Sequence, residues 1–380
     1  MSSAIWITGP PGSGKSVLAR AAASRLSAAG EPVMVLELDE IRKIVTPSPT
    51  YSATERDIVY GALVYMAAAL TRAGSRVIID ATAHRRAWRD QARRLIPRFA
   101  EVQLVCPLDI RREREIERAA GHAPRGIYAR AGAPGAVVPG VDVPYEPALR
   151  PEMTVETHRE DRGGVVDRIV ALLRTLGEPP ERRAGNRPAA WAIWVTGLPG
   201  SGKTTLSRKT AERLAARSTP VRLLEFAEFR RALLGDGPES DATGEILHRA
   251  LAYTAKLLTE AGVPVIVDAT ASRRAWRKLA RGLIPYFAEV QLVCPSEICG
   301  ERERAVRWHL GQGPSPSRSE RGATQPDMAL GYEAALDPEL ALHTDIGNLG
   351  ANVEAVLRVV HRLERAICAA GYEPNRQTVS

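Results

Sequence analysis

Two stretches of this sequence hold residues whose types and spacing specify a chemistry. Gly9-Pro10-Pro11-Gly12-Ser13-Gly14-Lys15-Ser16 and Gly197-Leu198-Pro199-Gly200-Ser201-Gly202-Lys203-Thr204 both fit G-x-x-x-x-G-K-[ST]. Glycines at these positions let successive backbone N–H groups, with those of Ser13 and Ser201, converge on one point where phosphate oxygens can bind. A helix beginning there adds the positive end of its dipole. Lys15 and Lys203 bring a charge to the β- and γ-phosphates, and the hydroxyls of Ser16 and Thr204 can hold Mg²⁺. The pattern therefore predicts two cradles for ATP.

A cradle does not name the group that receives a phosphoryl, so carboxylates beside it matter next. Asp39 follows the apolar run Val33–Leu38, at the carboxyl end of a predicted strand. There a carboxylate can take the proton of an attacking hydroxyl or position Mg²⁺. Arg42, three residues on, can face the same cleft and bind an anionic group. Asp80 ends another apolar run, Val77–Ile79, and reads either as a magnesium acid or as a cap of the next helix; the crevice at strand ends favours the first.

These residues need elements to place them. Apolar β-branched runs near 4–8, 33–38, 76–80, 101–106 and 152–156 alternate with helical periods near 15–29, 54–73, 86–95, 109–119 and 164–176. Such alternation predicts an α/β fold with a parallel sheet covered by helices on both faces. The pattern then repeats 188 residues later. Ile5-Trp6-Ile7-Thr8-Gly9 returns as Ile193-Trp194-Val195-Thr196-Gly197, and FAEVQLVCP at 99–107 returns unchanged at 287–295. The expected organisation is two tandem P-loop NTPase domains of kinase type, at 1–178 and 190–370, with a Pro/Gly/Arg-rich linker at 179–189 and a tail at 371–380. Residues 120–147 read as a lid.

Composition narrows the setting. With 44% hydrophobic and 25% charged residues the chain belongs with globular proteins rather than disordered ones. The net charge of +8 suits an anionic ligand, but no basic run is interleaved with aromatics, so nucleic acid is not the expected partner. Four cysteines form neither a metal spacing nor a disulfide framework, and no stretch is long and apolar enough for a membrane. The expectation is a cytoplasmic protein, with a homo-oligomer compatible. Cys106 and Cys294 read as core residues, Trp88 and Trp276 as packed inward, and helix 111–118 as a solvated face apart from Arg114.

Beyond the cradle the first half resembles the adenylylsulfate (APS) kinases. Asp39 and Arg42 match the second Asp and the Arg of that family's L-D-G-D-x-x-R. Tyr51-Ser52-Ala53-Thr54-Glu55-Arg56 is similar to F-S-x-E-D-R, and Arg86, Arg89, Ala92 and Arg93 to R-x-x-R-x-x-A-R. Pro107 to Arg114 is similar to the start of P-L-E-V-C-x-x-R-D, and Arg125 to Ala131 to K-G-L-Y-x-K-A. Gly140-Val141-Asp142 with Pro144-Tyr145-Glu146-Pro147 and Pro151-Glu152 follows G-I-D-x-x-Y-E-x-P-x-x-P-E.

The resemblance implies transfer of the ATP γ-phosphoryl to the 3′-hydroxyl of adenosine 5′-phosphosulfate, with Mg²⁺. It makes Asp39, Arg42, Tyr51, Arg56, Ile127 and Tyr128 the acceptor pocket and puts Arg114 on the nucleotide or lid side; together with the cradle's Lys15 and the strand-end Asp80 read above, the expected catalytic set is Lys15, Asp39 and Asp80. Glu37 departs from the family's first Asp, and Asp80-Ala81-Thr82 is similar instead to polynucleotide-kinase-like P-loop kinases. A nucleic-acid 5′-end or a small metabolite is therefore an alternative acceptor, and a non-catalytic ATP-binding scaffold is the alternative to an enzyme. The second half keeps its cradle but has Ala227 at the place of Asp39 and Gly313 to Asp327 at the place of the lid, which predicts a degenerate or regulatory site.

Overall fold

The computed structural model describes residues 2–117, 126–133, 136–177, 190–309 and 331–371. The expected linker, Arg125, parts of the lid, residues 313–327 and all but the first residue of the tail lie outside them. The chain divides into two compact units, residues 1–185 and 186–380.

In the first unit β1 (Ala4–Thr8) leads through the Gly-rich loop to α1 (Lys15–Ala28), then β2 (Val33–Glu37), α2 (Leu38–Val45) and α3 (Ala53–Arg72). β3 (Arg76–Asp80), α4 (Arg86–Leu95), β4 (Phe99–Val105), α5 (Leu108–Glu117), β5 (Met153–Glu156) and α6 (Arg162–Thr175) complete it. The five strands are parallel in the order β2-β3-β1-β4-β5. All five residues of β1 are buried, as a central strand covered on both faces requires.

One face is closed by Leu18, Ala19, Ala22 and Leu26 of α1 and Val165, Val166, Ile169, Val170 and Leu173 of α6, packed on Ile5, Ile7, Ile78, Val102 and Leu104. Burying each large aliphatic side chain contributes about 1.5–3 kcal/mol. Helix starts are chemically marked. Ser52 accepts from the Glu55 amide ahead of α3, and Asp161 from the Gly164 amide ahead of α6.

The second unit repeats this plan with β6 (Ala192–Thr196), α7 (Lys203–Ala215), β7 (Arg222–Glu225), α8 (Phe226–Leu234) and α9 (Asp241–Glu260). It continues with β8 (Val265–Asp268), α10 (Arg274–Leu283), β9 (Phe287–Val293), α11 (Ser296–His309), β10 (Leu340–His343) and α12 (Leu349–Ala369). Its sheet order, β7-β8-β6-β9-β10, is the same one. Both units are parallel five-stranded sheets flanked by helices, with the architecture of P-loop kinases. No helix among the described residues is long and apolar enough to cross a membrane.

One ion-pair network recurs in both units. Arg89 is fully buried, bonds the Glu101 carboxylate and donates to the carbonyls of Ala83 and Glu146; Arg277 does the same with Glu289, Ala271 and Glu333. Around it Arg93 forks onto Glu152 at 2.6 and 2.8 Å, and Arg281 onto Glu339. Much of the resemblance quoted above therefore belongs to scaffold. Removing one partner of such a buried pair leaves an uncompensated charge, so Arg89→Ala is expected to lower stability by about 3–5 kcal/mol, read as a fall in the urea midpoint of the first unit's transition.

Candidate active site

The loop after β1 works only because its backbone visits conformations that side chains resist. Gly12 has φ 75° and Gly14, the N-cap of α1, φ 97°. A Cβ on Gly12 would stand 2.5 Å from the Arg111 carbonyl oxygen of α5, so the loop rests directly on that helix. Lys15 opens α1 and its Nζ donates to the Pro10 carbonyl at 3.2 Å. Ser13 is fully buried, its hydroxyl without a hydrogen-bond partner among the described residues.

Above the loop lies a cleft of about 1120 Å³. Gly12, Gly14, Lys15, Ser16, Asp39, Arg42, Tyr51, Arg56, Asp80, Arg114 and Ile127 all reach its wall. The structure thus brings most of the predicted residues to one space. Gly9 and Ser13 lie beneath the loop surface, and Tyr128 is buried outside the lining, its hydroxyl donating to the Pro11 carbonyl at 2.6 Å.

Asp39 sits on the first turn of α2 rather than at a strand end, because the chain turns into a helix directly at Leu38. The buried set Leu38, Ile41, Arg42 and Val45 shows the i, i+3, i+4, i+7 spacing that could have announced this helix. Glu37, the departure from the family's first Asp, is tied by Arg20 of α1 through contacts of 2.7 and 2.8 Å. It is a brace beneath the cleft, and Arg208 with Glu225 repeats it in the second unit.

Asp80 is the other carboxylate at the loop. Burial pushes its pKa up to about 6, against the pull of Lys15 and a hydrogen bond from Ser16, while Glu37 and Asp39 push it further up. Of these carboxylates it is Asp80 that is hydrogen-bonded to Ser16.

The opposite wall is cationic and aromatic. Tyr51 takes a left-handed φ of 54°, a strain of about 1–3 kcal/mol, and lies between Arg42 and Arg56, whose guanidinium carbons are 5.2 and 5.9 Å from its ring centre. Arg42 is paired with Glu55 at 3.0 Å. Arg56 donates to the Val137 carbonyl and has no ion pair among the described residues. Burial lowers its pKa, and the neighbouring Arg42 and Arg85 act in the same direction. An anion placed here would relieve that cost. Tyr60, stacked on the buried Trp88 at 4.0 Å, forms the floor. Arg114 is held by Thr157 through contacts of 3.0 and 2.7 Å.

The second unit retains the loop almost unchanged. Gly197, Gly200 and Gly202 have φ of 149°, 77° and 96°. Lys203 bonds the Gly197 and Leu198 carbonyls, Thr204 bonds Asp268, and the buried Ser201 repeats Ser13. The opposite wall differs: Ala227 replaces Asp39, Glu239 replaces Tyr51 and binds Arg230 at 2.9 Å, and Gly244 replaces Arg56. Where Leu38 and Tyr60 stand in the first unit, Phe226 and His248 stack at 4.2 Å, with Trp276 on the other face of His248 at 4.0 Å.

Residues 1–156 and 189–309, one segment from each unit, match the sequence model of the adenylylsulphate kinase family. The chain belongs to that family. A probable adenylyl-sulfate kinase of Archaeoglobus fulgidus is 37% identical over 164 residues, 43% of this chain and 100% of its own length. One from Pyrococcus abyssi is 33% identical over 178 residues, 46% of this chain and 97% of its own. The APS kinase CysC of Mycobacterium tuberculosis, solved in complex with AMPPNP and APS, is similar over 46% of this chain and 99% of its own, at 23% identity and a TM-score of 0.39. Each of these two curated relatives spans about one unit of this adenylylsulphate kinase family member.

The expectation of a solvated α5 needs correction at Arg111, which is buried and bonds Tyr128. Its neighbours Arg112 and Glu113 are exposed, so composition alone could not single it out. His84 is also buried beside Arg56 and Arg85; burial first, then those cations, lower its pKa from 6.5 to about 4. The folded state therefore refuses a proton that the unfolded chain accepts, and stability falls as pH drops from 6.5 toward 4. His84→Gln should show a shallower acid loss than wild type across that window, measured by urea unfolding at each pH. Gly12→Ala should lose ATP affinity by at least about tenfold with unchanged far-UV circular dichroism, because only the loop must shift.

Proposed function

We propose that the first unit transfers the γ-phosphoryl group of ATP to the 3′-hydroxyl of adenosine 5′-phosphosulfate, giving ADP and 3′-phosphoadenylylsulfate. The supporting observation is one cleft lined together by the phosphate loop, by Asp39 and by the cationic and aromatic residues Arg42, Arg56 and Tyr51. Loop amides and Lys15 hold the β- and γ-phosphates, with Arg114 at the nucleotide side. Tyr51, Ile127 and the segment at Tyr128 bound the acceptor, and Arg42 and Arg56 face its sulfate and phosphate.

In the step itself the acceptor's 3′-oxygen forms a bond to Pγ while the bond from Pγ to the bridging oxygen of ADP breaks. Asp39 takes the hydroxyl proton, and Lys15 stabilises charge on the leaving phosphate. Ser16, with Asp80 behind its hydroxyl, fits Mg²⁺, since such ions are held by one or two protein oxygens together with the phosphates. The ion would neutralise charge on the β- and γ-oxygens.

Residues 190–370 form, in this reading, a second domain that holds ATP through Gly197, Gly200, Ser201, Gly202, Lys203 and Thr204 and does not transfer it. The stack of Phe226 and His248 and the loss of Asp39 and Arg56 equivalents support that assignment. Incubation with γ-labelled ATP and a panel of adenosine 5′-phosphosulfate, nucleosides and oligonucleotides tests it. Label should reach only the sulfated nucleotide. Lys15→Ala should abolish transfer, Asp39→Asn should slow it about 10²–10⁴-fold, and Lys203→Ala should leave it within a few-fold. Transfer to an oligonucleotide instead, or transfer surviving Lys15→Ala, contradicts the assignment.

A further inference from the structure

Arg111 lies on α5 with its guanidinium buried and no ion pair among the described residues, a costly arrangement unless something specific repays it. Its Nη1 donates to the Tyr128 hydroxyl at 2.9 Å and its guanidinium carbon is 5.8 Å from the centre of that ring. The same hydroxyl donates to the Pro11 carbonyl at 2.6 Å. Arg111, Tyr128 and the phosphate loop are thus joined in one directional chain of hydrogen bonds.

One turn further along α5, Glu115 accepts from the amides of Gly126 and Ile127 at 2.6 and 3.2 Å. The strap 126–130 is therefore pinned to α5 at two points, and Ile127 and Arg130 reach the cleft wall from it. The loop contact involves a carbonyl of Pro11, not the amides that face phosphate. Within this chain the equivalent of Arg111 is Cys299, in the unit whose sequence lacks Gly-Ile-Tyr, and the family pattern quoted above also has cysteine there. Arg111 is thus a feature of the first unit beyond that pattern.

We infer that Arg111 is a positioning residue that holds the strap at Tyr128 closed on the phosphate loop, and so sets the affinity of the cleft for the acceptor rather than for ATP. The kinetic consequence rests on the acceptor proposed above; the closure of the strap does not.

Two measurements on the full chain test the inference. Amide hydrogen exchange without ligand should be at least about tenfold faster in residues 126–130 for Arg111→Ala and for Tyr128→Phe, slower again for Arg111→Lys, and unchanged in β1 and β4. In steady state, both variants should raise KM for adenosine 5′-phosphosulfate at least about fivefold, with kcat within threefold and KM for ATP within twofold. The double variant should be no worse than either single one, since both cut the same chain of bonds. Wild-type exchange in the strap of both variants, an unchanged acceptor KM, or multiplying penalties in the double variant each overturn it. A wild-type chain without turnover of adenosine 5′-phosphosulfate removes the proposed acceptor, while exchange still decides the strap.

Discussion

The first unit is organised by the absence of room at its phosphate loop. Gly9 and Gly12 lie so close to the carbonyls of Leu104 and Arg111 that a Cβ would stand 2.9 and 2.5 Å away. The loop is wedged between β4 and α5 in a conformation that only glycine holds without strain. From that seat Lys15 must begin α1, and Ser16 must meet Asp80 at the end of β3. The cleft then opens over the carboxyl ends of β1, β2 and β3, where a parallel sheet leaves its crevice.

The two units show which parts of such a fold can change independently. The loop, the Arg20 and Glu37 brace, the buried Arg89 network and the Tyr145 contact with Thr8 all recur in the second unit, the last as Tyr332 with Thr196. These are interactions whose loss leaves buried charge or polar groups without partners, so they hold the domain together whatever it binds. The cationic wall carries no such obligation. Gly244 in place of Arg56 removes a cation that burial and the neighbouring Arg42 and Arg85 made costly, Ala227 and Glu239 stand in place of Asp39 and Tyr51, and Phe226 with His248 forms a stacked pair there. Substitution at these wall positions is therefore compatible with an intact fold.

Much of this was legible in the sequence because it rests on local patterns. The cradles announce themselves by glycine spacing, the strands by β-branched runs, and the duplication by the repeated segments 188 residues apart. What the sequence hid depends on long-range contact. Arg86, Arg89, Arg93, Glu146 and Glu152 match the family pattern without a role that the sequence assigns, and in the fold Arg89 and Arg93 bind carboxylates of β4 and of the segment before β5 while Glu146 caps the Arg86 amide. Arg111 looks like any arginine on a polar helix until the strap folds over it. The placement of Asp39 on α2 could have been read from the spacing of Leu38, Ile41 and Val45, but eight residues directly after a strand are easily taken as its continuation.

In the proposed reaction the cleft of the first unit seats two nucleotides facing one another. A crystal of the chain with a non-hydrolysable ATP analogue and adenosine 5′-phosphosulfate tests it most directly. The analogue should occupy both loops and the sulfated nucleotide the first unit alone, its 3′-hydroxyl in line with Pγ and within hydrogen-bond reach of Asp39. The sulfated nucleotide bound in the second unit, or bound in the first with its 3′-hydroxyl turned away from Pγ, contradicts it.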